Sequence, residues 1–220
     1  MTDWNEHLRR EEERYRDGEA RLEDAGDPDS RQRQLTRLGN AAGGAGLALL
    51  MQGRRPEAAE WFSRAAERYR ESFADAPPGS WGRPIGALKA RILAGDWAGA
   101  EQEARWALGL GAADAESPIG RYSACLALLV LGDDVEARAV AASLRERDDF
   151  SRAVGDALAM LTAGTDRLGY INAVEDVLES FETRDEYLED IPVADTVIVL
   201  QALAERRDLA ADLDSPLLPG

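Results

Sequence analysis

Apolar residues recur at helical spacing along most of this chain, and short polar turns interrupt them. The recurring phrase is a glycine, a short polar turn and then an alanine-rich amphipathic stretch. It begins at Gly53, Gly95 and Gly132, with a fainter copy at Gly164, so the copies lie 42, 37 and 32 residues apart. A loose period of about 30 to 45 residues built from helix pairs is typical of an α-helical repeat array.

The residues that start and end helices between these stretches predict about nine to ten helices and no strand. Proline suits the first turn of a helix, and an aspartate side chain can cap free amide groups there. Helix starts are therefore predicted at Pro56, Pro84, Asp96 and Pro118. Further helices are predicted over about 150–163, 167–182 and 193–206.

A first helix is predicted over residues 3–23, and only a narrow stripe of it is apolar. The rest is largely charged, including the Arg-Arg-Glu-Glu-Glu run at 9–13. A narrow stripe is typical of a helix that packs against one neighbour. The stripe consists of Trp4, Leu8, Tyr15 and Leu22.

A second helix is predicted over residues 31–52, and it contains four glycines: Gly39, Gly43, Gly44 and Gly46. Each glycine inside a helix costs about 1 kcal/mol relative to alanine. We expect these glycines to allow the close approach of a neighbouring helix. A phosphate-binding loop is disfavoured because the Gly-x4-Gly-Lys-Ser/Thr pattern is absent and no predicted strand precedes the glycines.

The charge of the chain argues against nucleic-acid and membrane partners. The 220 residues include 42 acidic and 26 basic side chains, with a formal net charge of −16. Nucleic acids and anionic membranes both attract basic surfaces rather than acidic ones. Lys89 is the only lysine. The use of arginine in place of lysine, together with an excess of Asp and Glu, is typical of a high-GC organism. This composition is also compatible with adaptation to salt, since an acidic surface keeps a protein hydrated.

Acidic residues concentrate towards the end of the sequence. Residues 133–220 have 21 acidic and 8 basic side chains, a net charge of −13. This region would attract a basic partner, or it is a solvated acidic face. The densest cluster lies between Glu175 and Asp190. Repulsion between such carboxylates is relieved by salt or by a cation, and we expect screening rather than a specific metal site.

The chain has few residues typical of catalysis. His7 and Cys125 are the single histidine and the single cysteine, and Cys125 lies in an apolar run where a buried, inert side chain is expected. One cysteine allows no intrachain disulfide, which fits a reducing cytosol. Zinc sites need several cysteine or histidine ligands. We therefore predict no catalytic residue, no metal, no cofactor and no enzymatic activity.

The sequence predicts a soluble, cytoplasmic protein that folds as one domain. Residues 1–6 lack a signal-peptide pattern, and no apolar run reaches the ~20 residues that span a membrane. The predicted domain covers residues 1–220. It comprises an N-terminal packing helix and turn over 1–30, helix-hairpin repeats over 31–165, and C-terminal helices with an apolar tail over 166–220.

The positions that pack helix pairs resemble the tetratricopeptide repeat family over about residues 35–165. In the first copy the motif positions hold Gly46, Leu49, Gly53, Ala58, Phe62 and Ala65. The second copy keeps Gly95, Trp97, Ala100 and Ala107, and the third keeps Gly132 and Ala137. The family's proline is absent and the spacing departs from its constant 34. The resemblance implies an all-α, right-handed array of antiparallel helix hairpins.

The same register implies a groove lined by the first helix of each pair. Its positions are Asn40, Leu47, Ile85, Lys89, Ile92, Tyr122, Leu126 and Leu129. The candidate partner-binding residues are Asn40, Lys89 and Tyr122, together with Trp81 and Arg83, which are expected to be exposed. Such a groove fits an amphipathic helix or an extended acidic peptide. The alternative, that these residues form interhelical core, stays open.

The end of the sequence resembles a second family, the bacterial toxin-immunity family called immunity protein 49. The similar residues are the stretches 202–207 and 213–219, with the Gly-Asp-Trp turn at 95–97. This resemblance implies a protein that neutralises a toxin by binding it.

The leading hypothesis is therefore a non-catalytic protein–protein interaction scaffold. The alternatives are a toxin-neutralising immunity protein and a small-molecule-binding or enzymatic protein with a pocket between helices. The expected partner is a protein or peptide, and a homodimer stays open.

Overall fold

The computed structural model describes residues 2–220, apart from the side chain of Leu188, and shows an all-α protein. The described residues form ten α-helices and no strand, which confirms the predicted fold class and helix number. The helices are α1 (Trp4–Glu23), α2 (Pro28–Met51), α3 (Arg55–Phe73), α4 (Gly82–Leu93), α5 (Trp97–Gly109), α6 (Pro118–Leu131), α7 (Asp134–Arg145), α8 (Arg152–Ala163), α9 (Arg167–Glu182) and α10 (Asp195–Glu205). Short 3-10 turns occupy Ala112–Asp114 and Leu188–Asp190.

The contacts between residues divide the chain into two compact units. Unit 1 contains Met1–Asp96, Glu186–Val193 and Pro219–Gly220, and unit 2 contains Trp97–Asp185 and Ala194–Leu218. Within each unit, successive helices pack against one another. The single domain over residues 1–220 stays a prediction. None of the helices in the described part of the chain is long and apolar enough to cross a membrane.

The recurring glycines of the sequence end helices in a left-handed backbone conformation. The φ angles of Gly53, Gly95, Gly132 and Gly164 are 73°, 71°, 81° and 69°. A residue with a side chain adopts this conformation only at a cost, whereas glycine adopts it freely and lets the chain turn at once. The repeated phrase is therefore a helix stop followed by the start of the next helix.

Helix α2 is the centre of unit 1, with α1 and α3 packed on it and α4 packed on α3. The ring of Tyr69 lies between two glycines: a Cβ added to Gly39 of α2 would lie 2.9 Å from it, and one added to Gly86 of α4 would lie 2.7 Å from it. Gly46 faces the Phe62 ring in the same way, at 2.7 Å. These glycines allow the close approach expected from the sequence.

The other two glycines of α2 differ from each other. A Cβ added to Gly44 would lie 2.6 Å from Ile191 and 3.0 Å from the Cγ of Glu11. A Cβ added to Gly43 would have no atom within 4 Å, so this glycine is not required by packing.

In unit 2, residues that follow α10 contact the first turns of three alternate helices. The Arg206 guanidinium lies 4.2 Å from the ring centroid of Trp97, which begins α5. Arg207 donates a 2.5 Å hydrogen bond to Asp134, which begins α7. Arg167, which begins α9, donates to the carbonyl of Ala210 at 3.1 Å. Because α5, α7 and α9 all begin at one end of unit 2, the helices between them run in the opposite direction, as in helix hairpins.

We expect Gly86→Ala and Gly43→Ala to change stability in opposite directions. Both gain up to about 1 kcal/mol of helix propensity. In Gly86→Ala the new methyl group would clash with the Tyr69 ring. The ring cannot shift away because its other side packs against Gly39, and overpacking of this kind costs about 1–3 kcal/mol. In urea denaturation followed by circular dichroism, the midpoint urea concentration should be higher than that of the wild type for Gly43→Ala and lower for Gly86→Ala. Equal gains in both variants would mean that Tyr69 is free to move aside.

Candidate functional site

The five residues predicted to bind a partner are spread over both units. Asn40, Trp81, Arg83 and Lys89 belong to unit 1, and Tyr122 belongs to unit 2. Trp81 and Arg83 were expected to be exposed, but both are half-buried.

Tyr122 is a core residue of unit 2 and is only 8% exposed. Its ring lies 5.6 Å from that of Phe150, measured between centroids, and burial raises the pKa of its hydroxyl above the ordinary value. Leu126 and Leu129, which share its predicted groove face, are 0% and 1% exposed. These three residues of α6 therefore belong to the core between helices.

Arg83 connects α4 to α2. Its guanidinium donates to the Oε1 of Gln32 and, at 3.2 Å, to the Oγ1 of Thr36. Burial lowers the pKa of Arg83 from the ordinary arginine value. The contacts of Arg83 are thus largely within unit 1, which explains why this side chain is less exposed than its sequence position suggested.

Asn40 lies one turn beyond Thr36 on α2 and is also engaged within unit 1. Its Nδ2 donates to the Oε1 of Glu189 at 2.7 Å, and its Oδ1 accepts from the Tyr69 hydroxyl at 2.8 Å. Glu189 has a left-handed backbone, with φ of 57°. Asn40 therefore holds the segment 186–193 against α2.

Glu11 is a fully buried carboxylate at the centre of the same cluster. Its exposure is 0%, and its two oxygens accept from Arg10 Nε at 2.9 Å and Arg14 Nη1 at 2.7 Å. Arg14 also forms an ion pair with Glu189, and Arg10 Nη2 donates to the Glu189 carbonyl at 2.5 Å. Gly44 leaves the space that the Glu11 side chain occupies.

This cluster pairs two arginines with two glutamates. Burial lowers the pKa of Arg14, but its bonds with Glu189 and Glu11 outweigh that effect and raise the pKa above the ordinary value. Both Glu11 oxygens are occupied by arginine donors. The arrangement is that of a structural cluster rather than of a carboxylate poised to accept a proton from a substrate.

The single cysteine and the single histidine both pack against neighbouring groups. Cys125 is 0% exposed, and burial raises the pKa of its thiol to about 12, so that it stays protonated. The His7 ring packs on Trp4, with centroids 5.5 Å apart. Among the described residues, no group of three or more His, Cys, Asp and Glu side chains is placed to hold a metal ion.

A surface depression between α1 and α3 is a candidate site that lies outside the groove predicted from the sequence. It is open to solvent and has a volume of about 570 Å³. Its floor includes Tyr15, which is buried, and Trp61, which is half-buried, with their rings edge to face at a centroid distance of 5.3 Å. The Arg64 guanidinium lies 4.5 Å from the Trp61 ring centroid. We call it the Trp61 depression; its lining residues are Glu12, Tyr15, Arg16, Glu19, Trp61, Arg64, Glu67 and Arg68.

Arg68 fixes the wall of the Trp61 depression. It donates to the Tyr15 hydroxyl at 3.1 Å, to Glu71 at 2.9 Å and to Glu19 at 3.2 Å. Burial lowers the pKa of Arg68, but the bonds with Tyr15 and Glu71 outweigh that effect and raise the pKa above the ordinary arginine value. The lining has three arginines and three glutamates, so its net charge is zero and it has no general attraction for anions.

A sequence signal for this depression did exist. Trp61, Arg64 and Arg68 have the spacing i, i+3 and i+7 on one face of α3, which brings an aromatic ring and two guanidinium groups together. The predicted repeat register includes Phe62 and Ala65 of this helix but not Trp61, Arg64 or Arg68.

Comparisons with family models, with curated proteins and with solved structures gave no match to this chain. The resemblances to tetratricopeptide repeats and to immunity protein 49 therefore stay predictions. A proposal about function rests on the geometry of the two units.

We expect Glu11→Ala to destabilise unit 1 far more than Glu13→Ala, the same substitution two residues away. Removing one partner of a buried ion pair leaves the other charges uncompensated, which costs about 3–5 kcal/mol when all are fully buried. Arg10 and Arg14 keep 38% and 40% of their side chains exposed, so we expect a loss near the lower limit. Glu13 is exposed, and its removal should have little effect.

Urea denaturation of both glutamate variants, at low and at high salt, measures this difference. Equal midpoints for the two variants would show that the Glu11 cluster contributes no more than an exposed glutamate does.

Proposed function

We propose that this protein is a non-catalytic, cytoplasmic protein-binding module and that the Trp61 depression is its contact surface. The observation that carries the proposal is Trp61 itself, half-buried on an aromatic floor with Arg64 stacked over it. Tryptophan, tyrosine and arginine are the residue types that contribute most to binding energy at protein interfaces. A rigid ring beside ordered arginines loses little conformational entropy when a partner covers it.

The shape of the Trp61 depression favours a helix as the bound element. Tyr15 of α1 contacts Trp61 of α3. One turn later on α1, Glu19 accepts a hydrogen bond from Arg68, which lies further along α3. The two helices therefore run in the same direction and leave a groove between them. A partner helix can place one or two apolar side chains in such a groove.

The charges around the depression indicate a partner with both signs of charge. Arg16 and Glu67 are exposed on its rim, and neither is needed for the internal bonds of Arg68. An acidic and a basic residue flanking an apolar anchor on the partner would pair with them. A nucleic acid is disfavoured because three glutamates line the same surface.

The toxin-neutralising alternative is favoured by a different observation, the outer face of α9. Glu175, Asp176 and Glu179 are exposed there, and among the described residues none of them has an ion-pair partner. A basic protein would be attracted to this face over a distance of about 8–10 Å at ordinary salt. Binding through it should weaken steeply as salt is raised, whereas binding anchored by Trp61 should change little.

The enzymatic alternative has less support. Glu11 is saturated by two arginines, and the Cys125 thiol is enclosed with its Sγ 3.7 Å from the Ala137 carbonyl. Neither group is available to a substrate.

We expect Trp61→Ala to weaken partner binding about 30-fold or more, because truncating an interface hot spot costs about 2 kcal/mol or more. Leu168→Ala is the matched control, since Leu168 lies in unit 2 and is 68% exposed. Proteins captured by the wild type from a lysate of the source organism are identified by mass spectrometry. The affinity of the purified partner for all three proteins is then measured by calorimetry.

If the wild type and Trp61→Ala bind the partner with equal affinity and melt at the same temperature, the depression is not the contact surface. Loss of binding in Glu175→Gln/Glu179→Gln but not in Trp61→Ala would favour the acidic face of α9 instead.

A further inference from the structure

The charged side chains that line the Trp61 depression differ in whether they are already paired. Arg68 forms ion pairs with Glu19, which also lines the depression, and with Glu71. The other four form no ion pair with any residue that the structure describes: Glu12, Arg16, Arg64 and Glu67. Glu12 is half-buried and the other three are exposed, so all four charges can pair with a bound molecule.

On the α1 side of the depression, an acidic residue is followed by a basic one. Arg54, which directly precedes α3, is close enough to Glu12 for their charges to interact. Glu12 therefore lies at the end of the depression where α3 begins. Arg16 comes four residues later on α1, which is one turn or about 6 Å further along the depression.

On the α3 side, a basic residue is followed by an acidic one. The Arg64 guanidinium lies over the Trp61 ring, which contacts Tyr15, the neighbour of Arg16 in the sequence. The two arginines are therefore at about the same level of the depression. Glu67 follows Arg64 by three residues, about 4.5 Å further along. Counted from the start of α3, the unpaired charges are one acidic residue, then two basic residues, then one acidic residue.

We propose that the Trp61 depression binds an amphipathic helix whose charged residues follow the order basic, acidic, basic, one turn apart, beside an apolar stripe. The basic residues face Glu12 and Glu67, the acidic residue faces the two arginines, and the apolar stripe covers Trp61. This inference rests on the proposed function and adds the charge order of the partner. The order is the same from both ends, so the helix fits in either direction.

Charge complementarity excludes other helices from the same surface. A helix with the order acidic, basic, acidic would place like charges opposite all four unpaired side chains, and such contacts suppress binding of the wrong partner. A helix with charges of one sign only would meet a like charge at two of the four positions. The partner therefore has both signs of charge on the face that binds.

The test compares two synthetic helical peptides of equal composition that share one leucine stripe. Beside the stripe, the first has the order Lys, Glu, Lys and the second has the order Glu, Lys, Glu, and residues on the far face balance the composition. Circular dichroism confirms that the two peptides are equally helical. By calorimetry at low salt, we expect the first to bind at least ten-fold more tightly. This difference should shrink as salt is raised, because the contacts are exposed to solvent.

Three variants locate the binding. Arg16→Glu should weaken binding of the first peptide several-fold and strengthen binding of the second. Arg9→Glu is the matched control, since Arg9 is exposed on the same helix and does not line the depression. It should leave both affinities unchanged. Trp61→Ala should weaken both peptides, because both place leucine on the ring.

Two results would overturn the charge order: equal affinity of the two peptides, or binding of neither. Equal affinity that is lost in Trp61→Ala would refute the charge order and keep the depression as a contact surface, so the failure of this inference differs from the failure of the proposed function. Binding that persists in Trp61→Ala would show that the peptides lie elsewhere on the protein, which also contradicts the inference.

Discussion

The close approach of neighbouring helices is the constraint on which the rest of this protein depends. Residues at the helix contacts are small: Ala42, Ala65 and Ala104 are fully buried, and Gly39 and Gly86 enclose the Tyr69 ring from both sides. Close contact between helices gives dense packing without many large side chains, which is why so low an aromatic fraction, 6% of the chain, is enough. Trp61, one of the large aromatic residues of α3, is only half-buried.

The same constraint decides where charge can be buried. Glu11 fits against α2 because residue 44 has no side chain, and Arg10 and Arg14 then compensate the carboxylate. Such a cluster contributes little net stability compared with apolar packing. Arg10, Glu11 and Arg14 all lie on α1, so only the bonds of the two arginines to Glu189 depend on where α1 is placed. Glu189 completes it from a segment 178 residues further along the chain than Glu11. The cluster thereby ties the segment 186–193 into unit 1.

The helices could be predicted from the sequence because their signals are local. Gly132 and Gly164 end helices through their own backbone freedom, and the predicted helix over 167–182 has the bounds of α9. The Glu11 cluster could not be predicted, because Glu11 lies in a run of charged residues that is typical of an exposed face and its burial depends on distant partners. Surface sites depend on which residues the fold leaves uncovered, so Trp61 was passed over, while Trp81 and Arg83 were expected to be more exposed than they are.

An extended segment covers a helical surface in a different way from another helix. A helix satisfies its own peptide groups and is held by side-chain packing, whereas residues 209–215 have no regular secondary structure, and their peptide groups need partners from the helices that they cover. Gln201, fixed by the buried Tyr170, supplies two of them to Ala211. Recognition of this kind depends on the path of the chain more than on its side chains.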